Sequence, residues 1–119
     1  MIEFDSPGAL SWLDAASSDD LDGAQFGVVR MEVGGRVVSY NLYESQLAGL
    51  SKDRVLSRDF FADVAPCTNN YLIAERFRGE PELDAVLDYV FTLRMKPTPV
   101  RLRLLRSAAA QHMYLLVRR

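Results

Sequence analysis

The sequence predicts an α+β fold: a central antiparallel sheet of about five strands flanked by helices, behind an N-terminal helical cap. Three observations predict it. Two β-rich runs near the start are separated by Gly34-Gly35, the middle of the chain has helical spacing, and three strand-like runs close it. The chain has 119 residues, 49% of them hydrophobic and 25% charged, which suits one domain over 1–119 with a single core. Residues 1–24 are expected to form the cap and 25–119 the core.

Residues 5–23 are polar, with Leu10, Trp12, Leu13 and Leu21 as scattered apolar anchors. Ser6 as N-cap and Pro7 at the first helical position predict a short helix over 7–16, and Gly23 ends the segment. Such a helix packs on the sheet as a lid. Residues 25–33 and 36–40 read as strands, and the glycines between them signal a two-residue hairpin turn. Asn41 then caps a helix through Leu42–Leu50, with Gly49 suited to its end. A short turn follows at 52–57, and Asp59-Phe60-Phe61 opens another short helical piece. In residues 70–78, Leu72, Ile73 and Phe77 share related helical faces, and Gly79-Glu80-Pro81 stops the helix. Residues 83–94, 99–107 and 112–118 read as strands. In the second, Val100, Leu102 and Leu104 alternate with Arg101 and Arg103, the pattern of a half-buried strand with one wet face. No repeat, linker or low-complexity tract interrupts this order.

The formal net charge is −2, and no basic face of the kind a nucleic-acid binder needs is evident. Arg101, Arg103, Arg106, Arg118 and Arg119 alternate with Leu and Val, so they read as solvated strand faces. One cysteine excludes an intrachain disulfide. The opening MIEFDSPGAL reads as neither signal peptide nor membrane anchor, so a cytoplasmic protein is expected. No clustered Cys/His metal spacing and no Gly-rich phosphate loop occur.

Four residues are candidates for chemistry. Cys67 lies in Ala65-Pro66-Cys67-Thr68-Asn69, a loop by composition. It is either a small buried side chain or a thiol that acts as nucleophile or covalent anchor. Tyr40 and Glu44 flank a strand-to-helix transition. They are either a strand aromatic and the N3 glutamate of a capping box with Asn41, or two donors converging on a buried oxyanion. His112 could pair with Cys67 as nucleophile and base, but no orienting third group or oxyanion hole accompanies them.

The segment Asp59-Phe60-Phe61-Ala62-Asp63-Val64-Ala65-Pro66-Cys67-Thr68 resembles the chromophore-attachment segment of the photoactive yellow protein family. Leu21-Asp22-Gly23 with Phe26-Gly27 is similar to that family's first-strand opening. Tyr40-Asn41 with Glu44 resembles its Tyr-Asn-x-x-Glu helix start. Tyr89, Phe91 and Met95-x-Pro97-Thr98 are similar to its later strands and the loop near the chromophore. The element order is likewise that of PAS domains. The resemblance spans nearly the whole chain, with one small deletion after Cys67.

The resemblance implies a blue-light photoreceptor rather than an enzyme. It implies p-coumaric acid held as a thioester on Cys67. Tyr40 and Glu44 would donate to its phenolate oxygen, and the Cys67 N–H would hold the thioester carbonyl. Val29, Phe60, Val64, Ala65, Phe91, Met95 and the Tyr89 ring would supply the walls. Light would isomerise the double bond from trans to cis, Glu44 would yield a proton, and the cap would loosen. Two positions depart from the family: Ala48 stands where a threonine is usual and Leu50 where an arginine covers the pocket. Arg54 or Lys52 would partly cover that opening. A downstream signalling protein or a homodimer contact would carry the output. A chromophore-free PAS interaction or small-ligand module is the alternative.

Overall fold

The computed structural model describes residues 2–92 and 95–119. Its sheet has the order β2-β1-β5-β4-β3, with every neighbouring pair antiparallel. The strands are β1 (Gly27–Met31), β2 (Val37–Tyr40), β3 (Leu83–Phe91), β4 (Thr98–Arg106) and β5 (Met113–Arg118). All five match predicted runs: β4 is shifted one residue earlier, and the others are trimmed at one or both ends. Residues 93 and 94 of the expected third strand lie outside the described residues. The first and last strands pair at the centre, Val29 opposite Leu115. The chain between β2 and β3 must therefore cross one face of the sheet, and it does so as short helices.

The hairpin glycines both have φ above +100° (113° and 105°), where a side chain would be strained. The turn is longer than the expected two residues. Glu32 N–H bonds to Arg36 O at 2.8 Å, leaving Val33-Gly34-Gly35 as the loop, and the register shifts at Arg30/Met31. Such a bulge adds local twist, and pairing resumes beyond it with Met31 opposite Val37.

Strand alternation sorts the core into two layers. Val29, Met31, Leu102, Leu104, Met113, Leu115 and Val117 face the crossing helices together with Tyr40, Phe60, Phe61, Phe77 and Phe91. Val28, Leu105, Tyr114 and Leu116 face the N-terminal cap.

The cap is built differently from the expectation. Its helices are α1 (Ala9–Ala15) and α2 (Ser18–Asp22). Gly8, with φ 69°, precedes α1, whereas the Ser6 hydroxyl accepts from Glu3 N–H instead. The unpredicted α2 has a full capping box, Ser17 with Asp20. Ile2, Phe4, Leu13, Leu21 and Phe26 are all buried against the sheet, so the cap is better anchored than its sparse middle suggests.

Two arginines tie it down. Arg30 donates to the Tyr114 hydroxyl at 2.9 Å and to Leu13 O and Ala16 O at 2.5 and 2.8 Å. That cation sits at the C-terminal end of α1, where the helix dipole favours positive charge. Arg103 grips Asp84 through two bonds of 2.9 Å and also holds Phe4 O and Ser6 O. Arg103 is 6% exposed, which corrects the expected wet face of β4. The alternation held, but the cap covers the second face at this point.

Asp14 closes the docking surface, accepting from Tyr114 Oη at 2.9 Å and Gln111 N–H at 2.7 Å. Burial raises its proton affinity, but those hydrogen bonds and the neighbouring His112 outweigh it, so the carboxyl lies below its ordinary range. An acid with a depressed pKa stabilises the fold above its unfolded value, and the contribution is lost as pH falls through the folded value. The cap is therefore expected to loosen below about pH 4. Emission of Trp12, on α1, should shift red over that range, and Asp14→Asn should remove this component. An unchanged acid transition in Asp14→Asn would refute the assignment.

The crossing comprises α3 (Leu42–Ala48), α4 (Lys52–Val55), a π-helical turn at Phe60–Val64, a 3-10 turn at Pro66–Thr68 and α5 (Ala74–Gly79). The α5 helix begins four residues later than predicted because Asn70 Oδ1 takes the Leu72 and Ile73 N–H groups into a turn.

Candidate functional site

Tyr40 ends β2 opposite Val29, and both are buried in the layer beneath the crossing helices. The next residue redirects the chain. Asn41 Oδ1 accepts from Val28 N–H (2.9 Å) and Glu44 N–H (3.2 Å), and Asn41 Nδ2 donates to Leu21 O (2.8 Å) and Phe26 O (3.0 Å). This one amide joins the cap, β1 and the start of α3. Asn41 is thus the predicted N-cap. The reciprocal arm of a capping box is absent: Asn41 N–H bonds to Val28 O, and the Glu44 side chain turns inward.

Glu44 is 2% exposed. Its carboxylate pairs with the Arg119 guanidinium, Nη1 to Oε1 at 2.6 Å and Nη2 to Oε2 at 3.2 Å. Gly27 makes the room. A Cβ on Gly27 would stand 2.1 Å from Glu44 Oε1 and 3.1 Å from Val117 Cβ. Gly27→Ala is therefore expected to displace the carboxylate and to cost about 1–3 kcal/mol. Urea denaturation of the single and double mutants measures this, and Glu44→Ala should recover most of the loss by emptying the space. Equal costs of Gly27→Ala with and without Glu44 would exclude the clash.

Burial raises the proton affinity of Glu44 and outweighs the opposing Arg119 hydrogen bond and charge, so the carboxyl lies above its ordinary range. Burial and the neighbouring Glu44 charge push the Tyr40 phenol far up, against a smaller pull from Arg119. Tyr40 is a neutral donor at any ordinary pH. The Tyr40 residue is 2% exposed, in the layer beneath the crossing helices.

Cys67 is a free, half-buried thiol. The predicted loop around it is ordered by consecutive turns. Asp59 accepts from Ala62 N–H, Ala65 N–H reaches back to Phe60 O at 2.8 Å, and Pro66 opens the 3-10 turn that carries the cysteine. Cys67 O accepts from Tyr89 Oη (2.5 Å) and Asn70 Nδ2 (3.1 Å), and Asn70 Nδ2 also reaches Tyr89 Oη at 2.6 Å. The backbone at the thiol is therefore clamped from β3.

The expected walls mostly assemble. Val29, Phe60, Ala65 and Phe91 are buried in one layer with Tyr40, and Val64, Cys67, Leu50 and Tyr89 pack on its margin. The Tyr89 and Phe91 rings meet edge to face at 6.2 Å. A cleft of about 390 Å³ is lined in part by Ala48, Phe91, Lys96, Thr98 and Arg119, linking this wall to the Glu44 ion pair.

Met95 is the exception, 95% exposed with φ 59°. Its own backbone is left-handed and its side chain is in solvent, so it forms no wall in this structure. Lys52 is held by Asp22 at 2.8 Å rather than over the site, and Arg54 is exposed. His112 lies beside Asp14 and Tyr114 on the cap side, so it is not brought to Cys67.

Gly27, Asn70 and Arg119 were not singled out for the site by sequence reasoning. Arg118 and Arg119, after the apolar run of the last strand, read as solvated. No local pattern marks Arg119 as the partner of a glutamate 75 positions away.

No protein-family model matches the chain. It is 33% identical over 125 residues to the photoactive yellow protein of Rhodothalassium salexigens, covering 100% of this chain and 98% of that one. It is 30% identical over 122 residues to the photoactive yellow protein of Halochromatium salexigens, again covering 100% and 98%. Among solved structures it is similar to the photoactive yellow protein domain of the sensor histidine kinase Ppr from Rhodospirillum centenum. That match has TM-score 0.82 and 31% identity, over 92% of this chain and 98% of that one. A PAS domain of an HTR-like protein from Haloarcula marismortui shares the fold at TM-score 0.59 and 15% identity, over 93% and 95% of the two chains. With its PAS fold, its lone cysteine on a clamped turn and near-complete coverage of these relatives, the chain belongs to the photoactive yellow protein family.

Proposed function

We propose that the protein is a blue-light photoreceptor carrying a p-coumaroyl group as a thioester on Cys67. The supporting observation is that Tyr40, Phe60, Ala65 and Phe91 share one buried layer on whose margin Cys67 and Tyr89 pack, with the buried Glu44 close enough to Tyr40 to raise its proton affinity. This donor set suits a buried phenolate, whose charge is costly unless compensated.

When bound, the group supplies blue absorption, a light-driven trans–cis isomerisation and a phenolate oxygen. Cys67 Sγ is the anchor. As thiolate it accepts the acyl group from an activated thioester, and the carrier thiol leaves. Tyr40 Oη and a protonated Glu44 would donate toward the phenolate, as charge-assisted hydrogen bonds stabilise a buried oxyanion. The apolar walls exclude water and so strengthen both bonds. After illumination Glu44 yields its carboxyl proton.

A buried carboxylate that has lost its compensation favours rearrangement. The path outward is short: Glu44 N–H and Leu21 O meet on the same Asn41 amide. The cap is therefore the element that loosens, and a downstream signalling protein in the cytoplasm reads the altered surface. No substrate is turned over.

The test is an absorption spectrum of protein reconstituted with activated p-coumaric acid, before and after blue illumination, with intact mass on the same sample. A yellow band that bleaches and recovers, with the added mass on Cys67, is expected. No adduct and no band would leave a PAS interaction or small-ligand module.

A further inference from the structure

We propose that Arg119 is a positioning residue that sets the protonation state of Glu44, holding it as a carboxylate in the chromophore-free protein. This rests on the photoreceptor reading only for its consequence, not for its geometry. The guanidinium meets both carboxylate oxygens, at 2.6 and 3.2 Å, with the Arg119 side chain 15% and the Glu44 side chain 2% exposed. A paired fork of this kind favours the ionised acid. Among the described residues, the titratable or charged groups facing Glu44 are Tyr40 from β2, which stays neutral, and Arg119 following β5, with Lys96 across the cleft that Arg119 lines.

The consequence is a charge count. With the pocket free of a guest, Glu44⁻ and Arg119⁺ cancel. A phenolate guest adds one negative charge, and two anions in one buried site repel. One proton taken up by Glu44 restores neutrality, and Arg119 becomes the counter-ion of the guest. Loading the site is thus coupled to protonating the residue that later gives up its proton. Leu50 cannot supply a cation, so in this chain the cation comes from beyond β5 instead of from the end of α3.

Infrared difference spectroscopy of the colourless protein tests this directly. Glu44→Gln identifies the carboxyl band, and pH is varied from 5 to 9. Arg119→Met is expected to move the Glu44 titration upward by at least one pH unit, tenfold in proton affinity. Arg119→Lys should restore most of the wild-type midpoint, which a merely structural role would not do.

Thermal unfolding gives a second readout. A buried acid with raised proton affinity binds more protons folded than unfolded, so stability falls as pH rises through that window. The window should extend to higher pH in Arg119→Met. Identical Glu44 titrations in the wild type and Arg119→Met would overturn the proposal. No chromophore enters either measurement. A failed reconstitution therefore leaves this result standing, and an unmoved titration leaves the photoreceptor reading standing.

Discussion

Cys67→Ser is expected to abolish pigment formation, with no yellow band and no added mass after incubation with activated p-coumaric acid. The substitution changes one atom of similar size on a turn that Tyr89 and Asn70 clamp through the backbone. The fold should be undisturbed, and only the nucleophile is lost. A thiol provides a useful fraction of thiolate near neutral pH, whereas a serine hydroxyl needs an adjacent general base. The structure brings His112 to Asp14, not to this turn.

Tyr40→Phe and Glu44→Gln should behave differently. Both keep the adduct, because neither touches the anchor. Each alters the donors available to the phenolate, so each should shift the absorption band and move the chromophore's titration. A pigmented Cys67→Ser protein, or adduct lost in Tyr40→Phe, would contradict the division of roles.

Asn41→Ala is expected to destabilise the fold by about 3–4 kcal/mol, because it strips partners from four backbone groups at a buried position. These are Val28 N–H, Glu44 N–H, Leu21 O and Phe26 O, and Asn41 itself is 1% exposed. With a urea dependence of about 2 kcal/mol/M, the midpoint should drop by roughly 1.5–2 M. Asn41→Asp is expected to be comparably severe. It keeps the two acceptor contacts but places a carboxylate against two carbonyls that need donors. A loss under about 1 kcal/mol in Asn41→Ala would mean that water replaces the amide, and the coupling of Glu44 to the cap would have to run elsewhere.

Much of this architecture is local chemistry, and that part was readable. Gly34 and Gly35 hold backbone angles that side chains resist. Asn41 is the only residue type among its neighbours suited to cap α3 while standing at a strand end. The alternation in β4 put Val100, Leu102 and Leu104 on one face, where the structure also places them. The turn chemistry of Asp59 through Asn70 marked out the thiol-bearing segment, although not its π-helical and 3-10 geometry. Those tight turns arise from the fixed φ of Pro66 and from side-chain caps whose partners lie a few residues away.

What alternation cannot report is which element covers a face. Arg103 has the sequence signature of a wet position. It is buried because Phe4 O and Ser6 O, nearly a hundred residues earlier, come to lie over it. Ile2 and Phe4 lie within the expected cap but were not among the apolar anchors read from its sequence, yet they anchor it.

The sequence by itself determined the strands, the capped helix after Tyr40 and the cysteine-bearing turn, because each depends on conformational preferences expressed within a few residues. Only the tertiary structure decided the electrostatics of the site. Pairing of the first strand with the last puts Gly27 beside Val117 and leaves Arg119 within reach of Glu44. A missing Cβ on one strand admits a carboxylate from α3, and a cation from the far end of the chain meets it there. The interaction is set by strand order and burial, which no local pattern in the chain encodes.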